Sequence, residues 1–117
     1  MLKFYWYAKC DTCRRAKKWL EAKGKKFEAI DITLDPPSLA DLKDYFKKSG
    51  KELKDFLNRS GVQYRELNMK EKVKSLTPEK ILEMLAKEGR LIKRPIVSDG
   101  KKATVGFDEA EFSRTWS

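Results

Sequence analysis

A chain of 117 residues is the right size for one domain, burying about two thirds of the surface its unfolded form exposes, and needs no disulfide staples to fold. Hydrophobic residues at 40% and aromatics at 11% exclude disorder despite a charged fraction of 38%, and no apolar run approaches the roughly 20 residues of a membrane span. Lys plus Arg total 27 against 18 Asp plus Glu, a net charge of +9, but the lysines are interleaved with acids, as in KELKD and MKEKVK, which is the pattern of solvated helix faces more than of a nucleic-acid patch. The opening MLKFYWYAKC has neither the apolar segment nor the cleavage site of a signal peptide. A cytoplasmic protein is therefore expected, one that touches neither membrane nor nucleic acid directly.

LKFYWYA is apolar, aromatic and too short for a helix, so it reads as a buried strand. A helix is predicted from Thr12 to about Lys23, with Ala16, Trp19 and Leu20 on one face and Gly24 as its stop. KKFEAIDI follows after a short connection, as the second, parallel strand of a βαβ unit would. DPPS breaks the chain, and Ser38 is placed to cap a helix carrying Leu39, Leu42, Tyr45 and Phe46 that ends at Gly50. KELKDFLNRSG predicts a short helix through Leu53, Phe56 and Leu57, and VQYRELNMKEKVKSL predicts loop with short helical pieces. TPEKILEMLAKEG predicts a helix capped by Thr77, opened by Pro78 and stopped by Gly89. RLIKRPIVSDGKKATVGF holds two apolar runs joined by an Asp-Gly turn, a β-hairpin signal, and DEAEFSRTW closes as a helix. The order βαβ, helices, ββα is an α/β layout with a mixed sheet, without repeats or linkers.

The only two cysteines, Cys10 and Cys13, stand at the junction between the first strand and its helix. A sulfur at that point receives unpaired backbone N–H groups and the positive end of the helix dipole. Arg14, Arg15 and Lys9 add charge nearby. Cys10 is therefore the candidate nucleophile, with a depressed pKa, and Cys13, one helical turn on, the candidate resolving thiol. Two other readings stand beside this one: a carboxylate-assisted or intermolecular zinc site, which the absence of histidine disfavours, and a pair of inert core cysteines. In a reducing compartment a close pair is more often reactive than a structural disulfide. KRPIV is the second informative stretch, although alone Arg94 and Pro95 would be the ordinary opening of a strand.

Taken together, YAKCDTCRRAKKWLEAKG, FLNRSGVQYRELN, LIKRPIV and VGFDEAEF, in this order and spacing, resemble the family that joins ArsC-type arsenate reductases, Spx-type regulators and YffB-like thiol reductases. The resemblance spans essentially the entire chain. It implies one thioredoxin-like, glutaredoxin-type domain over residues 1–117, with βαβ and ββα halves separated by a helical insertion at about 38–88, and a cis Pro95. It matches Cys10 to the nucleophile of the reductases and to the first switch cysteine of Spx, Cys13 to the second switch cysteine, and Arg94 to the arginine that holds an oxyanion beside the thiolate. A guanidinium suits that role because it offers a planar fork of donors and keeps its charge.

The departures carry as much information. Asn58, with Arg59 next to it, stands at the reductases' helical arginine, and Gly106 at their late hairpin arginine, so two of three oxyanion-binding arginines are missing or displaced. That argues against arsenate as the substrate, and VGF at 105–107 is the form found in the Spx-like and YffB-like branches. The resulting expectation is a monomeric thiol-disulfide oxidoreductase without a bound cofactor or metal and with glutathione as co-substrate. Cys10, Cys13 and Arg94 would carry its chemistry, and Arg59, Asn58, Pro95 and Arg14 would line its substrate site. The alternative is an Spx-like regulator that binds RNA polymerase under control of a Cys10–Cys13 disulfide, with Gly50 an approximate counterpart of the polymerase-contact glycine.

Overall fold

The computed structural model describes residues 1–117. Strand β1 (Leu2–Trp6), helix α1 (Asp11–Ala22) and strand β2 (Phe27–Asp31) form the first half, with β1 and β2 parallel and in register from Leu2–Phe27 to Trp6–Asp31. Helices α2 (Leu39–Ser49), α3 (Val62–Glu66), α4 (Met69–Ser75) and α5 (Pro78–Lys87) follow, with 3-10 turns at Leu53–Phe56 and Gly89–Leu91. Strands β3 (Ile96–Ser98) and β4 (Ala103–Val105) and helix α6 (Glu109–Trp116) complete the chain. The sheet order is β2-β1-β3-β4, with β3 antiparallel to both its neighbours. This is a thioredoxin-like core with a mixed sheet.

The alternation within β1 sets the layers. Phe4 and Tyr5 point to opposite faces of the sheet and yet are 0% and 5% exposed, so both faces are covered. On one face Phe4, with Leu2 and Val97, packs against Ala16 and Leu20 of α1 and Phe112 and Trp116 of α6. On the other, Tyr5 and Ile96 pack against Leu42 and Tyr45 of α2, Met69 of α4 and Ile81, Leu82 and Leu85 of α5. Each large side chain fully buried this way contributes about 1.5–3 kcal/mol. Strand β2 lies at an edge, where Glu28 and Ala29 are exposed; charge there blunts pairing with other chains.

Local signals explain most boundaries. Ser38 Oγ accepts from Asp41 N and Thr77 Oγ1 from Lys80 N, capping α2 and α5 as their spacing predicts. Gly24 and Gly50 take the left-handed conformation that ends α1 and α2. Asp108 Oδ1 caps α6 by accepting from Ala110 N and Glu111 N, and the buried Trp116 Nε1 donates to Thr104 Oγ1 at 3.1 Å, pinning α6 to β4.

Two expectations change. Helix α1 begins at Asp11, not Thr12, because Cys10 itself is the capping residue. Gly89 does not stop α5 through a left-handed turn: α5 ends at Lys87, and Gly89 is a buried point of contact where an added Cβ would overlap the Ile32 carbonyl. The stretch expected to hold short helical pieces does so, as α3 and α4, joined at Asn68 with φ 51°. No helix is long and apolar enough to cross a membrane.

Candidate active site

After β1 the chain turns at Tyr7, whose carbonyl accepts the Cys10 N–H at 3.0 Å, and delivers Cys10 in extended geometry (φ −94°, ψ 118°) to the start of α1. Its carbonyl accepts the first helical bond, from Arg14 N at 3.0 Å, and its Sγ accepts the Cys13 N–H at 3.4 Å. A sulfur thus takes the place usually given to a Ser or Asp oxygen at this position, and a negative sulfur fills it best. Cys10 is partly exposed; Cys13 is wholly buried, at 0%.

That difference in burial sets their acidities apart. Burial pushes the Cys10 thiol up, but the Cys13 N–H, the Cys13 thiol and the Arg94 guanidinium together outweigh it, and the net is a pKa below the ordinary thiol value. Burial likewise pushes Cys13 up, against a smaller opposing hydrogen bond from the Tyr7 backbone; the adjacent Cys10 sulfur adds to the rise, to about 12. The outer sulfur is thus the more acidic of the pair and the inner one the less acidic. Because the folded pKa of Cys13 lies above its ordinary 9.0, the stability associated with its neutral form is full below pH 9.0 and is lost as pH rises through about 12. We therefore expect the stability advantage of the wild type over Cys13→Ala, measured by urea unfolding under reducing conditions, to shrink steadily above pH 9.0; a constant difference would contradict the buried-thiol assignment.

Arg94 reaches the same place from the start of the neighbouring strand β3. The Arg94–Pro95 peptide is cis, Pro95 is buried, and Ile96 opens β3 opposite Tyr5 of β1, so Arg94 comes to lie beside the turn that carries Cys10. Its guanidinium stands over the Tyr7 ring at 5.1 Å and pairs with no carboxylate. The ring face holds the cation beside the turn, where it supports the Cys10 sulfur.

A cleft of about 410 Å³ opens over Cys10, lined by Cys10, Thr12, Asn58, Ser60, Gly61, Lys93 and Arg94. Two of its walls are tied to each other. Leu57 and Ile92 form an isolated antiparallel bridge, flanked by bonds from Asn58 N to Leu91 O and from Lys93 N to Phe56 O, both 2.8 Å. The Asn58 side chain is engaged within this wall: Nδ2 donates to Arg90 O at 3.3 Å and Oδ1 accepts from Ser60 Oγ at 3.4 Å.

The structure thus brings Cys10, Asn58 and Arg94 to one cleft, with Cys13 behind Cys10 and Pro95 behind Arg94. Two residues expected at the substrate site are not among those lining the cleft itself. Arg59 borders it, sharing one hollow with Asn58, Ser60 and Lys93 and another with Tyr64, Arg65, Asn68 and Lys70. Arg14 lies on the exposed side of α1, 3.5 Å from Asp11. Thr12, Ser60, Gly61 and Lys93 line the cleft without being singled out by the sequence. Of these, Lys93 has a visible signal, a second cation directly before Arg94. No cluster of three or more His, Cys, Asp or Glu side chains could hold a metal ion.

The model of the ArsC family matches residues 5–115. This chain belongs to the ArsC family. The ArsC chain is 53% identical over 116 residues to Uncharacterized protein YusI of Bacillus subtilis (strain 168), an alignment covering 99% of this chain and 98% of YusI. It is 28% identical to Regulatory protein MgsR of the same organism, over 94% of this chain and 86% of that one. It is 27% identical to Global transcriptional regulator Spx of Listeria innocua, over 97% and 86%. A crystal structure of an ArsC family related protein from Bacteroides fragilis superposes with a TM-score of 0.92 at 36% identity, covering 97% of this chain and 95% of that one. The family thus includes both relatives named as regulators and, in solved structures, an arsenate reductase-like member from Streptococcus mutans UA159.

Proposed function

We propose that this ArsC-family protein is a thiol-disulfide oxidoreductase of the reducing cytoplasm that uses glutathione as co-substrate. The observation that carries this reading is the asymmetry of the cysteine pair: an accessible Cys10 sulfur stabilised as thiolate beside an unpaired arginine, and a fully buried Cys13 thiol one helical turn away. In the first step the Cys10 thiolate attacks one sulfur of a mixed disulfide; that S–S bond breaks, one thiolate leaves, and a new disulfide joins Cys10 to the retained half. In the second, Cys13 loses its proton to the departing thiolate, attacks the Cys10 sulfur and expels the retained half, leaving a Cys10–Cys13 disulfide. Two glutathione molecules then reduce that disulfide and leave as glutathione disulfide. The high pKa of Cys13 fits a thiol that stays protonated until a leaving group beside it needs a proton.

The test is incubation with a glutathionylated small thiol followed by intact-mass analysis. Wild type should accumulate the internal disulfide when glutathione is withheld, Cys13→Ala should trap a glutathione adduct on Cys10, and Cys10→Ser should do neither. Wild-type exchange no faster than that of free glutathione would overturn the proposal.

A second reading, a regulator that binds RNA polymerase through a surface altered by the Cys10–Cys13 disulfide, draws support from the likeness to MgsR and Spx. Recovery of polymerase subunits from extract in one redox state and not the other supports it; recovery in neither state rejects it. Arsenate reduction is the least supported. Arg59 borders the cleft without lining it, and Gly106 contributes no side chain to it.

A further inference from the structure

Lys93 and Gly106 meet at the edge of the Cys10 cleft. Gly106 follows β4 with φ 79° and donates its N–H to Pro95 O at 2.9 Å, so it lies next to the strand that presents Arg94. The space its absent Cβ would fill is taken by Lys93: a Cβ built there would lie 3.1 Å from Lys93 Cε and 3.7 Å from Nζ. The Lys93 backbone is anchored by its bond to Phe56 O at 2.8 Å. The lysine therefore has a fixed base and a bare backbone to lie on, while its ammonium, like the Arg94 guanidinium, pairs with no carboxylate. None of the residues lining the cleft is acidic. Arg94 acts on the Cys10 sulfur, whereas Lys93, the cation before it, lies along Gly106 at the edge of the cleft.

We propose that Lys93, laid across Gly106, is the specificity-determining cation of the Cys10 cleft, receiving a carboxylate of the molecule whose sulfur meets Cys10. The site then prefers thiols and disulfides that carry a carboxylate within a few bonds of the reacting sulfur over neutral ones. This rests on the thiol-disulfide reading for its substrate class, but the anion preference itself can be measured without turnover. Charge separation of this kind is physically reasonable. An ammonium on a flexible stem acts as a point charge for an incoming anion, whereas the rigid guanidinium suits a fixed partner.

The experiment compares alkylation of Cys10 by iodoacetate and iodoacetamide in a Cys13→Ala background. In both reactions the thiolate sulfur forms a bond to the methylene carbon as the carbon–iodine bond breaks and iodide leaves; the reagents differ in the charge they carry. Lys93→Met should lower the iodoacetate rate about fivefold, the order expected from losing one solvent-exposed charge a few ångströms from the anion, and leave the iodoacetamide rate unchanged. Lys93→Arg should keep the parent ratio, and high salt should bring the iodoacetate rates of the parent and of Lys93→Met together. An unchanged ratio in Lys93→Met overturns the proposal. So does an equal loss with both reagents, which would mean that Lys93 acts through the thiolate or the fold. Failure of glutathione turnover in wild type, with the rate ratio still dependent on Lys93, would remove the oxidoreductase reading and leave the anion site standing.

Discussion

Arg94→Met should slow the reaction of Cys10 with a neutral disulfide at pH 7 by roughly tenfold or more, since a hydrogen bond to a charged group is worth about 1.5–3 kcal/mol and one pKa unit corresponds to about 1.4 kcal/mol. The direction follows from the causes acting on Cys10. Burial raises its pKa, and with Arg94 gone the Cys13 N–H and thiol oppose that alone. The check is a pH–rate profile. The profile of the variant should be displaced to higher pH and should converge with wild type once both sulfurs are ionised, because a more basic thiolate is intrinsically no worse as a nucleophile. The folding side of the same linkage has the opposite sign to that of Cys13. With its folded pKa lowered, Cys10 contributes stability that is present above the ordinary thiol value and is lost as pH falls through the folded one. Arg94→Lys should recover part of the rate, since it keeps the charge and loses the planar fork held over Tyr7. An unshifted profile in Arg94→Met would remove the arginine from the activation of Cys10.

Gly89→Ala should destabilise the protein by about 3 kcal/mol, at the upper end of what overpacking a core costs. The obstruction is backbone on both sides: the new methyl would overlap Ile32 O and sit 2.8 Å from Ile32 C and 3.2 Å from Thr33 Cα. No rotamer can relieve it. Gly61 shows the contrast, since a Cβ there meets the Asn58 amide nitrogen at 2.7 Å, at the end of a side chain that can turn aside. The displaced segment matters for the site as well. Asp31 holds it by accepting from Thr33 N, Thr33 Oγ1 and Leu34 N, and feels the charge of Arg94. Urea unfolding gives the loss of stability; an unaltered midpoint would mean that the Gly89–Ile32 approach is not tight.

These two residues also mark what a sequence can and cannot disclose. Signals confined to one turn are legible: the caps at Ser38 and Thr77, the left-handed Gly24 and Gly50, and the strand that carries Cys10 to a helix start. Gly89 is misleading because a helix-stopping glycine and a glycine crowded by a distant segment look alike in sequence, and the crowding partner is Ile32, far away along the chain. Cys10, Cys13 and Arg94 are legible from their motifs. Arg59 is legible only in part: it borders the cleft through a hollow shared with Asn58, Ser60 and Lys93 without lining the cleft itself, and the fold of this irregular segment decides that, not its spacing in the sequence. Lys93 shows in the sequence only as a second cation beside Arg94; that it lies along Gly106, contributed from beyond β4, is set by the fold.

The bond from the Cys13 N–H to Cys10 Sγ has a mechanical side. The atom that would attack a substrate is also the atom that closes the first turn of α1, so the two duties compete for the same lone pairs. Once the sulfur is tied into a disulfide it is a poor acceptor, and the helix gives up part of its fastening just when its inner thiol must move outward. Only reduction of the Cys10–Cys13 disulfide would restore both together. On the proposed thiol-disulfide reading, the Cys13 amide would exchange with solvent faster in the disulfide than in the reduced pair, where it donates to Cys10 Sγ.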